Sequence, residues 1–344
     1  MVSDAYAEPS QAPKPKAVRD GLFVSEVLML NPKTTAFVFP GQGSQFVGMG
    51  RELAQVSAAA KKIFEEADEH LGFRLSALCW DGPEVELNDT VNTQPALYVC
   101  SVAAWRALVE AVGDFTPAFA AGHSLGELSA LAMAGAMEFE DGLRLVRQRG
   151  EVMKAAGERA PGGMAAILNL DAGPLAEVCA EVNAAAGGVV QVANDNCPGQ
   201  VVISGDSASL EKAMELAKAR GARRALKLPV SIAAHSPLMR SALDEFTRAV
   251  EAVPFIAPVP PVVGNVKAAP LDDPNAIRAE LPAQLTSPVR WTDSVRYMLA
   301  QGVTTFIELG SKDVLTGLLK RIDANAVGLA VGRPEAVEQL AATQ

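Results

Sequence analysis

The sequence predicts an α/β protein, a mostly parallel sheet with helices on both faces into which a smaller βαββαβ unit is inserted. Three observations carry that prediction. Along 344 residues, short apolar runs that stop at glycine or proline alternate with segments of helical period. At Ala121-Gly122-His123-Ser124-Leu125-Gly126-Glu127-Leu128 a Gly-x-Ser-x-Gly turn joins a strand-like run to an alanine-rich helical one. That is the strand, sharp turn and helix of a nucleophile elbow, and it makes the larger unit α/β-hydrolase-like. Between residues 158 and 228 the order becomes strand, helix, two strands, helix, strand, the order of a ferredoxin-like unit. The expected organisation is therefore a leader over residues 1–33, a larger unit made of 34–157 and 229–344, and the smaller unit at 158–228 between its two halves.

Composition bounds the function. With 49% hydrophobic and 20% charged residues the chain can bury a large core, and its formal charge of −10 argues against a nucleic-acid binder, which needs a concentrated basic surface. Cys79, Cys100, Cys179 and Cys197 are scattered without a CxxC pair, so they read as reduced thiols of a cytoplasmic protein and not as a zinc site. The first residues carry neither a basic start nor a continuous apolar stretch, which argues against a signal peptide. Charged residues interrupt the longer apolar stretches, which argues against a membrane span. No metal motif and no GxxxxGK phosphate loop is present.

Taken in order, the leader holds Pro9, Pro13 and Pro15 without periodicity and is expected to be flexible, with a short helix near residues 22–29. Thr35–Phe39 reads as a buried strand stopped by Pro40-Gly41. In the next loop Phe46 stands where a GxGxxG fingerprint needs its third glycine, which argues against nicotinamide binding. Gln42, between two glycines at a strand end, is suited instead to hydrogen bonding into a site there. One helix is expected over residues 51–71, closed by His70 as a solvated cap. Asn92-Thr93-Gln94-Pro95 starts a second, Ala96 to Val112. Residues 115–121 form the strand before the elbow, and Phe139-Glu140-Asp141 starts a helix that carries Arg149. In the smaller unit the strands fall at 163–170, 189–194, 200–204 and 223–228, and the helices at 174–186 and 207–220. Beyond it come a strand ending at Asn265, a helix over 276–285, another beginning within Ser287-Pro288-Val289-Arg290-Trp291, and a final strand at 304–310.

The chemistry centres on Ser124. Glycines on either side permit the tight bend, and the helix behind the serine aims unpaired N–H groups at any oxyanion formed there. Of three histidines, His123 adjoins the serine where neighbouring side chains diverge, and His70 belongs to a charged helix end. His235, at the end of a strand-like run before a helix, is left as the general base. Arg149, followed by a glycine on a core-facing helix segment, could pair bidentately with a substrate carboxylate. Lys218, Arg220, Arg223, Arg224 and Lys227 make the densest basic run, either a solvated helix end or a dock for phosphate or an acidic partner.

Several stretches together resemble one family. Phe37-Val38-Phe39-Pro40-Gly41-Gln42-Gly43-Ser44-Gln45, Gly122-His123-Ser124-Leu125-Gly126-Glu127, Arg149-Gly150, Ala193-Asn194-Asp195-Asn196-Cys197-Pro198-Gly199-Gln200 and the His235 segment stand in the order and spacing of malonyl-CoA:acyl-carrier-protein transacylases. The similarity runs from about Thr34 to about Ile322. It implies transfer of a malonyl group from coenzyme A to a carrier protein's phosphopantetheine thiol, in fatty-acid or polyketide synthesis. It implies Ser124 as nucleophile and His235 as base, main-chain N–H groups of Gln42 and Leu125 as the oxyanion hole, and Arg149 on the malonyl carboxylate. It implies further that Gln284 orients the histidine through an uncharged carbonyl and that Asn196 lies near the substrate. Arg223 and Arg224 would meet the carrier protein or coenzyme A. Leu125 resembles malonyl-selective members, whereas Ile232-Ala233-Ala234-His235 departs from the usual selectivity tetrapeptides.

Exchange of a thioester between two thiols is nearly isoenergetic, so a serine ester suffices and no cofactor is expected. The partners expected are an acyl carrier protein and malonyl-CoA, with no nucleic acid and no membrane, acting on a monomer. Two alternatives are a serine thioesterase on the same scaffold, which has no use for an arginine aimed at a free carboxylate, and a non-catalytic carrier-binding module.

Overall fold

The computed structural model describes residues 30–342. The helix expected near residues 22–29 lies outside the described residues. The chain runs β1 (Thr35–Phe39), α1 (Arg51–Val56), α2 (Ala58–Leu71), α3 (Leu75–Asp81), α4 (Glu84–Leu87), α5 (Thr90–Val112), β2 (Phe119–Gly122), α6 (Gly126–Met133) and α7 (Phe139–Arg159). Next come β3 (Gly163–Leu168), α8 (Ala172–Ala186), β4 (Val190–Cys197), β5 (Gln200–Gly205), α9 (Ser207–Ala219) and β6 (Arg224–Lys227). After a 3-10 turn at Pro237–Ala242 follow α10 (Leu243–Glu251), β7 (Val262–Val263), β8 (Pro270–Leu271), α11 (Pro274–Gln284), α12 (Trp291–Ala300), β9 (Thr305–Leu309), α13 (Val314–Ile322), β10 (Val327–Val331) and α14 (Pro334–Ala341).

The larger sheet has the order β10-β9-β1-β2-β7-β8, parallel throughout except for β8 at its edge. Side chains alternate across β1 as the pleat requires. Phe37 and Phe39 pack into the cluster that holds α5, α6 and α7, while Ala36 and Val38 pack against Trp291 and Val295 of α12 and Leu315 of α13. The fold is thus mixed α/β with a largely parallel sheet covered on both faces. A second, antiparallel sheet has the order β4-β5-β3-β6. One of its faces packs on α8 and α9, and the other, with Met164, Ala193 and Val202, meets Ala234.

Several element boundaries differ from expectation, each for a local reason. The single helix over 51–71 is two helices, because Ser57 leaves the helix to cap α2: its Oγ accepts from Ala60 N–H at 3.0 Å and donates to Glu110 at 2.5 Å. The helix expected over Ala96–Val112 begins earlier, at Thr90, capped by Asp89, and Pro95 lies inside it. Proline cannot donate to the carbonyl one turn back, and that carbonyl, Val91 O, accepts instead from Arg147 Nη1 at 3.2 Å. Only residues 119–122 of the run before the elbow join the ladder; Phe115 stacks on Phe37 with centroids 5.6 Å apart, so its apolar character serves packing and not strand pairing. Val289 forms a parallel bridge with Asn194, and helix α12 starts only at Trp291. Finally, 304–310 is not the last strand: β10 pairs beyond β9 at the sheet edge, where its half-exposed residues carry a weak apolar signal. Helix α5, long and apolar enough to cross a membrane, is a core helix of this fold.

Candidate active site

The site forms where β1 and β2 end side by side. Gly122 closes β2 and Gly126 opens α6, and the two are in backbone contact: a Cβ on Gly122 would lie 1.9 Å from the Gly126 carbonyl, and a Cβ on Gly126 would lie 2.1 Å from Phe39 O. Between them Ser124 adopts φ +53°, a left-handed conformation that non-glycine residues avoid. The two glycines are therefore what allows the serine to stand proud at the strand end. Gly126→Ala is expected to lower stability by about 3 kcal/mol, because the new methyl meets main chain and not a mobile side chain. A thermal melt unchanged from wild type would contradict that.

His235 comes to the serine from a distant part of the chain. The expectation that it ends a strand is corrected: β6 stops at Lys227, and residues 228–236 are irregular. Hydrogen bonds do the positioning that a strand would have done. Gln191 Nε2 donates to His235 O at 2.6 Å, and Ser236 Oγ donates to Ala233 O at 2.7 Å. His235 also has a positive φ, +56°. Its Nε2 lies 2.8 Å from Ser124 Oγ and its Nδ1 lies 2.8 Å from the main-chain carbonyl of Gln284. A carbonyl only accepts, so Nδ1 carries the proton and Nε2 is free to accept from the serine. Burial, and then the charge of Arg149, push the imidazole pKa down to about 3.

Gln284 thus faces the histidine through its main-chain carbonyl. Its side chain has separate partners, with Oε1 accepting from Arg149 Nη2 at 2.7 Å and Nε2 donating to Ser124 O at 3.2 Å. Arg149 is 2% exposed on α7. Its Nη1 donates to Gln94 Oε1 at 2.8 Å and its Nη2 reaches Ser124 Oγ at 3.2 Å. Among the described residues no carboxylate forms an ion pair with it, and its Nε has no acceptor. Burial lowers its pKa to about 10, partly offset by Glu127, so it is a charged guanidinium at neutral pH, and it lines the cavity beside Ser124.

The main-chain N–H groups of Gln42 and Leu125 have no acceptor among the described residues. Both residues line the same cavity of about 740 Å³ as Ser124, His235 and Arg149. Asn196 lines it too and accepts from His123 Nε2 at 2.8 Å. Two residues escaped the sequence reading. His123 is a half-buried wall of this cavity, and desolvation pushes its pKa below the ordinary imidazole value. Gln94, set aside as part of a helix start, is an acceptor for Arg149, and its Nε2 donates to Thr90 Oγ1, which donates to Gln42 Oε1. Arg223 and Arg224 stand outside the main cavity, around a second hollow of about 370 Å³ that they share with Arg321. Gln200 borders both hollows and accepts from Arg321 Nη1 at 2.9 Å.

The family model of the acyl transferase domain matches residues 36–326. A malonyl CoA-acyl carrier protein transacylase of Bacillus subtilis is 46% identical over 303 residues, 88% of this chain and 95% of that protein. One from Escherichia coli K12 is 47% identical over 302 residues, 88% of this chain and 97% of its own length. Among solved structures, an acyl carrier protein S-malonyltransferase from Vibrio cholerae superposes with a TM-score of 0.85 at 46% identity, covering 89% of this chain and 99% of that one. A malonyl-transacylase solved in complex with its type II PKS acyl-carrier protein gives 0.87 at 42% identity, covering 90% and 99%.

Proposed function

Because the chain belongs to the acyl transferase domain family, we propose that it moves a malonyl group from malonyl-CoA to the phosphopantetheine thiol of an acyl carrier protein through an ester on Ser124. The protein is an acyltransferase. One observation carries the residue assignments: a serine 2.8 Å from a neutral imidazole and 3.2 Å from a buried guanidinium that lacks a carboxylate partner. Ser124 Oγ attacks the thioester carbonyl while His235 Nε2 takes its proton. The developing oxyanion is met by the free N–H groups of Gln42 and Leu125, each such donor being worth about 3 kcal/mol. The proton on His235 passes to the departing coenzyme A sulfur. The carrier thiol then gives its proton to the same nitrogen and attacks the ester in the reverse sense.

Arg149 holds the malonyl carboxylate, a pairing for which a planar two-pronged cation suits better than an ammonium. The Gln284 carbonyl keeps His235 in the accepting tautomer and Asn196 borders the substrate. Arg223 and Arg224, with Arg321 beside them, form the basic patch on which an acidic carrier or the phosphates of coenzyme A would dock. No cofactor is called for. The two sheets read as an α/β-hydrolase-like unit carrying a ferredoxin-like one, whose inner face closes the cavity over His235. With its four described cysteines free and buried, the chain fits a reducing cytoplasm, and it is read as working as a monomer.

The test is the intermediate itself. Mixed with malonyl-CoA, the protein should gain the mass of one malonyl group and lose it when carrier protein is added; free malonate without malonyl carrier would defeat the transferase reading. The depressed pKa of His235 adds a pH prediction. A base whose pKa has moved from 6.5 to about 3 is neutral across the mildly acidic range. The kcat/KM for malonyl-CoA should therefore stay level as pH falls through 6.5 and decline only nearer the lowered value. A half-maximal point at ordinary imidazole pH would show that the ring is hydrated in the free enzyme.

A further inference from the structure

Asn265 follows β7 and is 0% exposed. Its side-chain amide lies across the elbow. Oδ1 accepts from the main-chain N–H of Ser124 at 2.7 Å, and Nδ2 donates to Gly122 O at 2.8 Å, so one planar group grips the turn on both sides of His123. The main chain of Asn265 is itself anchored: its N–H donates to Glu127 Oε2 at 2.8 Å, and its carbonyl accepts from Arg290 N–H at 3.0 Å. Glu127, also 0% exposed, sits in the first turn of α6, and its own N–H donates to Ser124 O at 3.1 Å. A closed loop of bonds therefore runs from the turn to Asn265, on to Glu127 and back to the turn.

Two physical consequences follow. The left-handed backbone of Ser124 persists only where its surroundings over-determine it, and these bonds act on both peptide groups that flank His123. The Ser124 N–H, which could otherwise turn toward an oxyanion, is already satisfied, whereas those of Gln42 and Leu125 have no acceptor among the described residues. Asparagine suits the place because it offers an acceptor and a donor in one plane. Aspartate would present a lone pair to the Gly122 carbonyl, and alanine would leave both main-chain groups without this partner.

We propose that Asn265 is a positioning residue for the nucleophile, with Glu127 as its anchor: together they hold the Ser124 turn so that Oγ stays in line with His235. The proposal rests on Ser124 as the nucleophile. Its test is the rate at which malonyl-CoA forms the Ser124 ester, followed by rapid quench and intact mass, in wild type and variants, with thermal unfolding recorded for each. Asn265→Ala and Asn265→Asp are expected to slow acylation about 10- to 100-fold, since small misplacements of reacting groups cost that much. The KM for malonyl-CoA should move less than about threefold, because Arg149 and the cavity walls are untouched. Glu127→Ala should slow acylation similarly, and Glu127→Gln, which keeps an oxygen for the Asn265 N–H, should restore most of that loss.

Wild-type acylation rates in folded Asn265 variants, or a loss confined to KM, would overturn the proposal. Should those variants not fold, equal acylation rates in Glu127→Ala and Glu127→Gln would overturn it. A wild-type protein that forms no malonyl-serine would instead defeat the proposed function, and the two failures are thus distinct.

Discussion

With Ser124 replaced by alanine, malonyl transfer to carrier protein is expected to fall on the order of 10⁵-fold, the scale of loss when a nucleophile that works with its base as a unit is removed. No covalent adduct should appear by intact mass. Binding should survive, because the hydroxyl is only one of the partners of Arg149, whose bonds to Gln94 and Gln284 remain. Malonyl-CoA should therefore still protect the variant against thermal unfolding while no longer acylating it. An adduct that persists in Ser124→Ala, located on another residue, would remove the elbow serine from its role and leave the 2.8 Å contact with His235 without a catalytic purpose.

The second large effect is selective. Arg149→Ala is expected to cost malonyl transfer about 3 kcal/mol, roughly 150-fold, the scale of losing one partner of a desolvated charge pair. Acetyl loading should hold or improve, since an acetyl group has no carboxylate to lose and since removing the guanidinium lifts one of the charges that depress His235. Arg149→Lys should recover little, because an ammonium cannot present two parallel N–H groups to a carboxylate. The comparison controls for misfolding, because damage to the fold would lower both acyl groups together. Equal losses would move Arg149 from carboxylate recognition to support of the Gln284 and Gln94 side chains, which it also contacts.

The elbow and the strand β1 were legible in the amino-acid sequence because their determinants are local. A left-handed serine needs slender neighbours within a few positions, and the close contacts at Gly122 and Gly126 are the physical content of that pattern. Helix and strand order along the main sheet follows from apolar period in the same way. Boundaries were missed where a side chain from elsewhere decided them, as when Arg147 took the carbonyl that Pro95 could not use, or where the strand was an edge with little to bury, as in β10. The choice of Ser124, His235 and Arg149 could be made from residue type and elimination. Their meeting could not, since serine and histidine stand 111 positions apart and the histidine rides on an irregular segment. Least legible of all were the parts of the site played by main chain or by unremarkable amides. The Gln284 carbonyl at Nδ1 leaves no trace in residue type, and Gln94 and Asn265 resemble any helix or loop residue until packing turns them inward. Local sterics are written in neighbouring letters. Direction and burial belong to the assembled chain, and there a common amide takes on a single task.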